Sequence, residues 1–527
     1  MVACGDANCP SVADLVRRWG RERPARRALR FEGRDTSYAE LDRQTNQVAA
    51  ALFAEGIRAG DRIAYYGKNS DYYFTLFYGA AKLGAVTVPV SWRLTAPELI
   101  YIVNDIGSQL LFVGDEQRAT AQQAAAEMPK VRRLIPMEHA AGGAGFAEWL
   151  GHYSDADLLL PASPDCVLLQ LYTSGTTGRP KGAMLTSRNL YGLIEHCRAN
   201  GVEWERWQKD DIALVAMPVG HIGGSGFGAR TLYDGATAFI AREFDPGAVL
   251  GFIERERISK LFLVPAAIRI MLQDPHAATV DYSRIVHLIY GGSPIQLPLL
   301  RAAKAVMGVK FVQHYGMTET AGTFVALEEH DHDTAGTPRM HSAGKALPGV
   351  ELRVVDPQGR VVAAGVVGEI ITRSVKAMTG YWNLPQETAQ TIDNQGWLRT
   401  GDAGHLDADG YLFLQDRIKD MIVSGGENVY PAEVEAVFAS HAAVDEVAVI
   451  GVPDDRWGEA VKAVIVGKSG VEIAVDDLLG YARTRLAGFK VPKSIDFVTA
   501  LPRNANGKVL KRILREPYWA GKERNIH

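Results

Sequence analysis

Cysteine is scarce in this chain, with four in 527 residues. Cys4, Cys9, Cys166 and Cys197 form no C-x-x-C pair and are too sparse to staple a chain of this length, which excludes a disulfide framework and a cysteine-based zinc site. Long apolar runs are missing too. No stretch reaches the ~18 residues that a membrane-spanning helix needs, and residues 1–10 carry neither a basic leader nor an apolar core. An integral membrane segment is therefore not expected, and a cytoplasmic location is. Neither charge sign dominates: 57 Lys and Arg stand against 61 Asp and Glu, a formal net charge of -4, which argues against a general nucleic-acid partner. What remains, 47% hydrophobic and 22% charged residues, is ordinary globular composition. Its length exceeds what one core supports, so at least two domains are expected.

The first 170 residues alternate between helical and strand patterns. Ser37-Tyr38-Ala39-Glu40 is a capping box, after which Leu41, Thr45, Val48, Ala49 and Leu52 recur at helical spacing. Residues 61–66 and 84–90 are apolar, strand-like runs on either side of a helical segment at 73–83. Further short strands are expected at 212–218, 260–265, 284–290 and 309–313, each ending in a loop with Gly, Pro or His. Such alternation predicts an α/β fold with mostly parallel sheets covered by helices, and ligands beyond the carboxyl ends of the strands. Pro431 opens a helix bearing Val434, Val437 and Phe438, and 445–452 is a strand of a small C-terminal domain. Residues 483–524 hold eleven Lys and Arg against three Asp and Glu, either a solvated basic face or a surface that closes on polyanions.

The densest chemistry lies at 172–182, Tyr-Thr-Ser-Gly-Thr-Thr-Gly-Arg-Pro-Lys-Gly, where three glycines, four aliphatic hydroxyls and a lysine follow the apolar run 167–171. Glycine lets backbone N–H groups turn toward an anion, hydroxyls donate further bonds, and lysine supplies a point charge. The string departs from the G-x-x-x-x-G-K-[ST] phosphate loop, since Pro180 precedes the lysine and Gly182 follows it. Further motifs follow in order: Gly220-His221-Ile222-Gly223-Gly224, His314-Tyr315-Gly316-Met317-Thr318-Glu319, Arg399-Thr400-Gly401-Asp402, the stretch Asp416 to Glu435, and Pro502-Arg503-Asn504-Ala505-Asn506-Gly507-Lys508.

Together these motifs resemble the adenylate-forming enzymes: acyl-CoA synthetases, luciferases and the adenylation domains of peptide synthetases. The likeness spans residues 10 to 515, and the stretch Ser424 to Glu435 is most similar to the acyl-CoA synthetase branch. It implies a large N-terminal domain of layered sheets and helices (αβαβα) with a small β-barrel-like part, residues 1–416, a hinge at 417–420 with Lys419 as pivot, and a mobile α+β domain at 421–527. It implies ATP, Mg²⁺ and coenzyme A as cosubstrates and metal, and a homodimer as a common assembly. Thr173 and Glu319 would hold Mg²⁺, both being hard oxygen ligands. ATP would meet Thr173, Ser174, Gly175, Thr176, Thr177, Gly178 and Lys181, then Gly291, Gly292, Ser293 and Pro294, and His314, Tyr315, Gly316, Met317 and Thr318. Asp402 and Arg417 would hold the ribose. Lys508 would bridge the substrate carboxylate and the α-phosphate, and catalysis would rest on it with Glu319, Thr173 and His221. Gly220, His221, Gly224, Ser225, Gly292, Gly316 and Gly322 would face the acyl group, and a strand at 421–428, with Ser424, Gly425, Gly426 and Glu427, would line the path of coenzyme A.

Substrate identity is less sharply written. Many relatives carry an aromatic residue before the histidine where this chain has Gly220, which suggests a roomy pocket for a fatty acyl chain, with an aryl acid of the coumarate, ferulate or benzoate type as the alternative. A carrier protein could replace coenzyme A as acceptor. From another class, Gly224-Ser225-Gly226-Phe227-Gly228-Ala229 fits G-x-G-x-x-A, with Glu243 about 20 residues on, a weak dinucleotide-binding pattern. The run 328–333, Glu-Glu-His-Asp-His-Asp, is expected to be an exposed loop rather than a metal site.

The hinge reading yields one prediction. Lys419→Pro should leave acid-dependent ATP–pyrophosphate exchange intact and stop thioester formation; equal loss of both half-reactions would refute the division of labour.

Overall fold

The computed structural model describes residues 9–138, 145–173, 179–417, 420–425, 427–468, 470–471, 474–503 and 509–520. The chain forms two compact units, Met1–Leu352 with Thr372–Leu398, and Arg353–Ile371 with Arg399–His527.

Two sheets build the first unit. One has seven strands in the order Gly380–Tyr381, Lys181–Thr186, Val167–Thr173, Val86–Ser91, Arg62–Gly67, Leu110–Val113, Arg133–Pro136. Its middle is parallel, as the alternating pattern predicts, and Lys181–Thr186 folds back antiparallel on Val167–Thr173. The other sheet has nine strands, of which His287–Gly291 and Lys310–Met317 run parallel while Gly322–Leu327 returns antiparallel.

Helices Val12–Glu22, Tyr38–Ala54, Asp71–Leu83 and Ile222–Asp234 share one core with strand residues of both sheets, among them Leu169, Leu171, Ala238 and Ile240. Their sequences record that position. The capping box at Ser37 and Glu40 forms as expected, and the helix it opens buries Leu41, Thr45, Val48, Ala49 and Leu52. Asp71–Leu83 is apolar nearly all round and buries eleven of its thirteen residues, as a helix enclosed on every side must. Its one buried cation, Lys82, is bonded to Asp42 and Asn46. Glycine sets how near two of these helices come: a β-carbon on Gly79 would stand 2.4 Å from Cβ of Val48.

The second unit is built on antiparallel pairing. A four-stranded sheet has the order Glu351–Val355, Gly368–Arg373, Leu398–Leu406, Leu412–Arg417. The C-terminal sheet pairs Val444–Asp454 antiparallel with Gly458–Gly467, and the helix opened by Pro431 packs Val434 and Phe438 into its core. Two expectations change here. Residues 421–428 are a hairpin, Ile422–Ser424 against Glu427–Val429, because Gly425 turns the chain at φ +62°. Four cations of the basic C-terminal stretch are paired in place, Lys490 with Glu433, Arg503 with Glu446, Lys511 with Glu435 and Arg515 with Asp420.

Gly79→Ala should therefore cost about 1–3 kcal/mol, since an interior at crystal-like density has no room for a new methyl group. Gly480→Ala is the control: it lies in helix Val475–Arg483 with nothing within 4 Å of its β-carbon position, and should stabilise by roughly 0.5–1 kcal/mol. Thermal unfolding of both variants decides, and shifts of the same sign would contradict the packing argument.

Candidate active site

The two returns of chain in the first unit meet at one point. In the hairpin of Val167–Thr173 and Lys181–Thr186, Thr173 pairs with Lys181 at the end of the sheet. Ser174 to Gly178 lie outside the described residues. Gly182 sits within the second strand, and Gln170 Nε2 would be 2.4 Å from a β-carbon there, so this glycine serves packing. That explains the mismatch with the common phosphate loop.

Strand Lys310–Met317 ends in a short 3₁₀ turn, Thr318–Thr320, and reverses through Ala321 and Gly322 at φ +46° and +90°. Gly316 faces this reversal so closely that its β-carbon would lie 2.1 Å from the Gly322 carbonyl oxygen. No other residue fits there without moving the backbone. Thr320 Oγ1 donates to the Gly322 carbonyl at 2.6 Å, which steadies the turn.

The turn delivers Glu319 to the end of the other sheet. Its Oε1 lies 3.3 Å from Thr173 Oγ1 and accepts a hydrogen bond from Tyr381 Oη at 2.8 Å. The backbone N–H of Met378 donates to the Glu319 carbonyl at 2.8 Å. Lys181 Nζ stands 5.2 Å from the centre of the Tyr381 ring. Glu319 is only 6% exposed, so its carboxylate is fixed rather than solvated. Two cis ligands on Mg²⁺ at about 2.1 Å would be separated by about 3 Å, so the pair fits as two hard oxygen ligands. Among the described residues no three His, Cys, Asp or Glu form a metal cage. One or two protein oxygens completed by substrate phosphates is the usual way to hold Mg²⁺. Tyr381 escaped the sequence reading; its only signal is the Gly380-Tyr381 pair that joins the sheet beside Lys181–Thr186.

Gly291 ends strand His287–Gly291 and pairs with His314, while Gly292 at φ +81°, Ser293 and Pro294 are exposed at the strand's carboxyl end. Tyr315 packs against Phe324 at 4.9 Å between ring centres. Met317 and Thr318 lead into the Glu319 turn. His221 is the N-cap of helix Ile222–Asp234, and its Nε2 is buried without a partner. Ser225 is fully buried with its hydroxyl bonded to Tyr73 and to the Val219 carbonyl, so it anchors the helix. A β-carbon on Gly224 would lie 2.2 Å from the Pro218 carbonyl oxygen, close packing again.

Gly220 does not open space. The Ser91 backbone stands 3.2 Å from where its β-carbon would be, so this glycine sits tightly against Ser91 and its missing side chain is no evidence of free space. The dinucleotide pattern fails as well. Residues 224–229 all lie inside helix Ile222–Asp234, not on a strand-to-helix turn where glycines could cradle a pyrophosphate. The acidic and histidine run at 328–333 is partly interior: Asp331 and His332 are buried, and His332 Nε2 meets Tyr290 Oη at 2.9 Å.

In the second unit, Asp402 follows Gly401 at φ +69° and pairs across the ladder with Arg417, which brings the two predicted ribose ligands side by side on the backbone. Asp416 Oδ2 accepts from the Ala432 N–H at 2.8 Å, in the first turn of the helix opened by Pro431. Ser424 is buried and pairs with Gly458, while the Gly425 N–H donates to the Trp457 carbonyl at 2.8 Å. Glu427 pairs with Ser424 across the hairpin turn. Lys419, Gly426 and Lys508 lie outside the described residues. The strand bridge Arg503–Val509 and the Lys511–Glu435 ion pair, 2.8 Å, hold the chain on both sides of residue 508.

Burial holds three histidines of the first unit neutral, His221 pushed down to about 4, His314 to about 3 and His332 to about 4, from 6.5. The unfolded chain takes up these protons near pH 6.5 and the folded chain does not, so their contribution to stability is full above pH 6.5 and is lost as pH falls through 4. The melting temperature should fall across that window, and less steeply in His314→Gln. Identical slopes would show that His314 is not the buried neutral group described.

Comparison with known proteins agrees with this geometry. The model of the AMP-binding enzymes matches residues 16–382, and that of the AMP-binding enzyme C-terminal domain matches 433–508. The chain is 40% identical to the fatty acid–acyl-carrier-protein ligase ScoC of Streptomyces coeruleorubidus, over 96% of each chain. It is also 40% identical to feruloyl-CoA synthase of an Amycolatopsis species, over 95% of this chain and 98% of the relative. Among solved structures, ATP-bound MatB from Rhodopseudomonas palustris superposes with a TM-score of 0.86 at 30% identity, covering 98% of this chain and 100% of that one. The chain belongs to the AMP-binding, adenylate-forming enzymes, in their acyl-CoA synthetase branch.

Proposed function

We propose that this chain activates a carboxylic acid with ATP and transfers the acyl group to coenzyme A. A carboxylate is a poor acyl donor at neutral pH because its leaving group would be oxide. Attack of its oxygen on the α-phosphate expels pyrophosphate and exchanges that leaving group for AMP; a thiolate then adds to the carbonyl and AMP departs.

The observation that carries the reading is the Thr173–Glu319 contact across the ends of two sheets, with Lys181 beside it. Mg²⁺ held by the two oxygens would neutralise charge on the phosphates. Lys181 attracts the same phosphates, and backbone N–H groups of Ser174 to Gly178 would orient them. Asp402, accepting from both ribose hydroxyls, and Arg417 place the nucleoside. Lys508 offsets repulsion between the two anions during attack, a preorganised charge aimed at the transition state. Rotation about Lys419, between 1–416 and 421–527, then replaces Lys508 with the hairpin Ser424 to Glu427 and admits the thiol. We place the reaction in the cytoplasm, in keeping with its cosubstrates. A medium or long fatty acid is the first candidate substrate and an aryl acid the second. Likeness to ScoC across nearly the whole chain favours one further reading, in which a carrier protein accepts the acyl group.

Pyrophosphate release across fatty and aryl acids, with and without coenzyme A, tests the assignment. Release that coenzyme A carries to a thioester supports the ligase, release that it cannot carry forward points to a carrier protein, and no release with any acid overturns the reading. Lys508→Ala should slow adenylate formation 10²–10³-fold, about 2.7–4 kcal/mol of barrier, while supplied acyl-adenylate is still converted to thioester. Equal loss in both steps would remove Lys508 from the assigned role.

A further inference from the structure

The segment 378–382, Met-Thr-Gly-Tyr-Trp, is bonded to both halves of the site. At one end the Met378 N–H donates to the Glu319 carbonyl at 2.8 Å. Further on, the Thr379 N–H donates to the Met184 carbonyl at 3.0 Å and the Trp382 N–H to that of Gly182 at 2.8 Å, which lays Gly380 and Tyr381 antiparallel on strand Lys181–Thr186. The Tyr381 N–H donates to the Thr388 hydroxyl at 2.9 Å, and the Trp382 indole N–H to the Asp105 carbonyl at 3.1 Å. These bonds hold the buried Tyr381 between the turn that carries the acid and the strand that carries the lysine.

A phenol ring offers two different grips. Its hydroxyl donates in the plane of the ring, while its faces carry the negative end of a quadrupole and attract a cation. Tyr381 uses both: its Oη donates to Glu319 Oε1 at 2.8 Å, and Lys181 Nζ stands over the ring, 5.2 Å from its centre. Glu319 Oε1 thus meets two hydroxyls, those of Tyr381 and Thr173, while among the described residues its Oε2 has no donor. Among the same residues Lys181 forms no ion pair. A shielded carboxylate and an ammonium therefore touch the same ring without pairing with each other, although opposite charges out of bulk water attract strongly. Lys82 in the same unit does close on its acid, Asp42. Pairing of Lys181 with Glu319 would occupy the metal ligand with the very cation meant for the phosphates, and every binding event would have to break that pair.

We propose that Tyr381 is the positioning residue of the metal and phosphate site: it holds Glu319 by its hydroxyl and Lys181 by its ring face, in different directions, and so keeps the acid available to Mg²⁺ and the lysine available to ATP. The proposal rests on the ligase reading and adds a residue that acts through two others.

The test reads binding without turnover. Mn²⁺ is titrated into enzyme saturated with α,β-methylene-ATP and followed by electron paramagnetic resonance; separately, ATP is titrated calorimetrically in EDTA, where no metal assists Lys181. Tyr381→Phe keeps the ring face and loses the hydroxyl, so it should weaken Mn²⁺ binding about 10–100-fold, the usual effect of removing a partner of a metal ligand, and leave metal-free ATP affinity unchanged. Tyr381→Leu removes both grips and should also lower metal-free ATP affinity about fivefold, because Lys181 then pairs with Glu319. Glu319→Gln added to Tyr381→Leu should restore that affinity, which a damaged fold would not allow. Native Mn²⁺ affinity in Tyr381→Phe, or a metal-free ATP affinity in Tyr381→Leu that stays native or is not recovered by Glu319→Gln, overturns the positioning role while leaving the ligase standing. A native enzyme that binds neither ATP nor Mn²⁺ overturns the nucleotide site, and the ligase reading with it.

Discussion

The candidate site depends on a backbone reversal at residues 317–322, where two antiparallel strands approach so closely that a β-carbon on Gly316 would be 2.1 Å from the Gly322 carbonyl oxygen. This contact fixes where Glu319 emerges. The left-handed Ala321 and Gly322 and the Thr320 hydroxyl hold the turn, and from a neighbouring segment the Met378 N–H bonds the Glu319 carbonyl and Tyr381 its carboxylate. The acid then meets Thr173 from the other sheet. A carboxylate held on a loop of rotatable side chains would have to be ordered on each binding event; here the ordering is part of the folded state.

Two polar environments serve different purposes in the first unit. Around Glu319 the groups are hydroxyl, carboxylate and ammonium, arranged for phosphates and a divalent ion. Around His314 they are aromatic rings, Trp204 and Phe262, with the imidazole Nε2 buried among them without a partner. The same strand feeds both environments, because successive side chains point to opposite faces and the turn at its end redirects the chain again. Two buried cations of this unit are met within the fold, Lys82 by Asp42 and Asn46 and Arg230 by Glu205 and Asp234.

Errors of the sequence reading share a cause. Gly220 looked like added space, because a missing side chain reads as a void; the Ser91 backbone, 129 positions earlier in the chain, packs tightly against that position. Residues 421–428 looked like one strand, because the turn rests on the left-handed conformation of Gly425 and not on any change in hydrophobic pattern. The run 328–333 looked exposed on composition, whereas His332 is buried by Tyr290 and Asp331 goes with it. The basic tail looked uncompensated because its counter-charges, Asp420, Glu433, Glu435 and Glu446, lie far back along the chain.

By itself the sequence determined whatever is encoded locally: the capping box at Ser37, the mostly apolar helix read at 73–83, the strands read at 61–66 and 84–90, the proline-opened helix at 431, and the family, through motifs whose glycines and hydroxyls are contiguous. Only the tertiary structure decided which distant residues meet. Thr173 and Glu319 are 146 positions apart, and Tyr381 comes from a third segment. Hydrophobic period and turn chemistry act over a few residues, but the distance between two side chains is set by sheet order and helix packing, which are properties of the whole core.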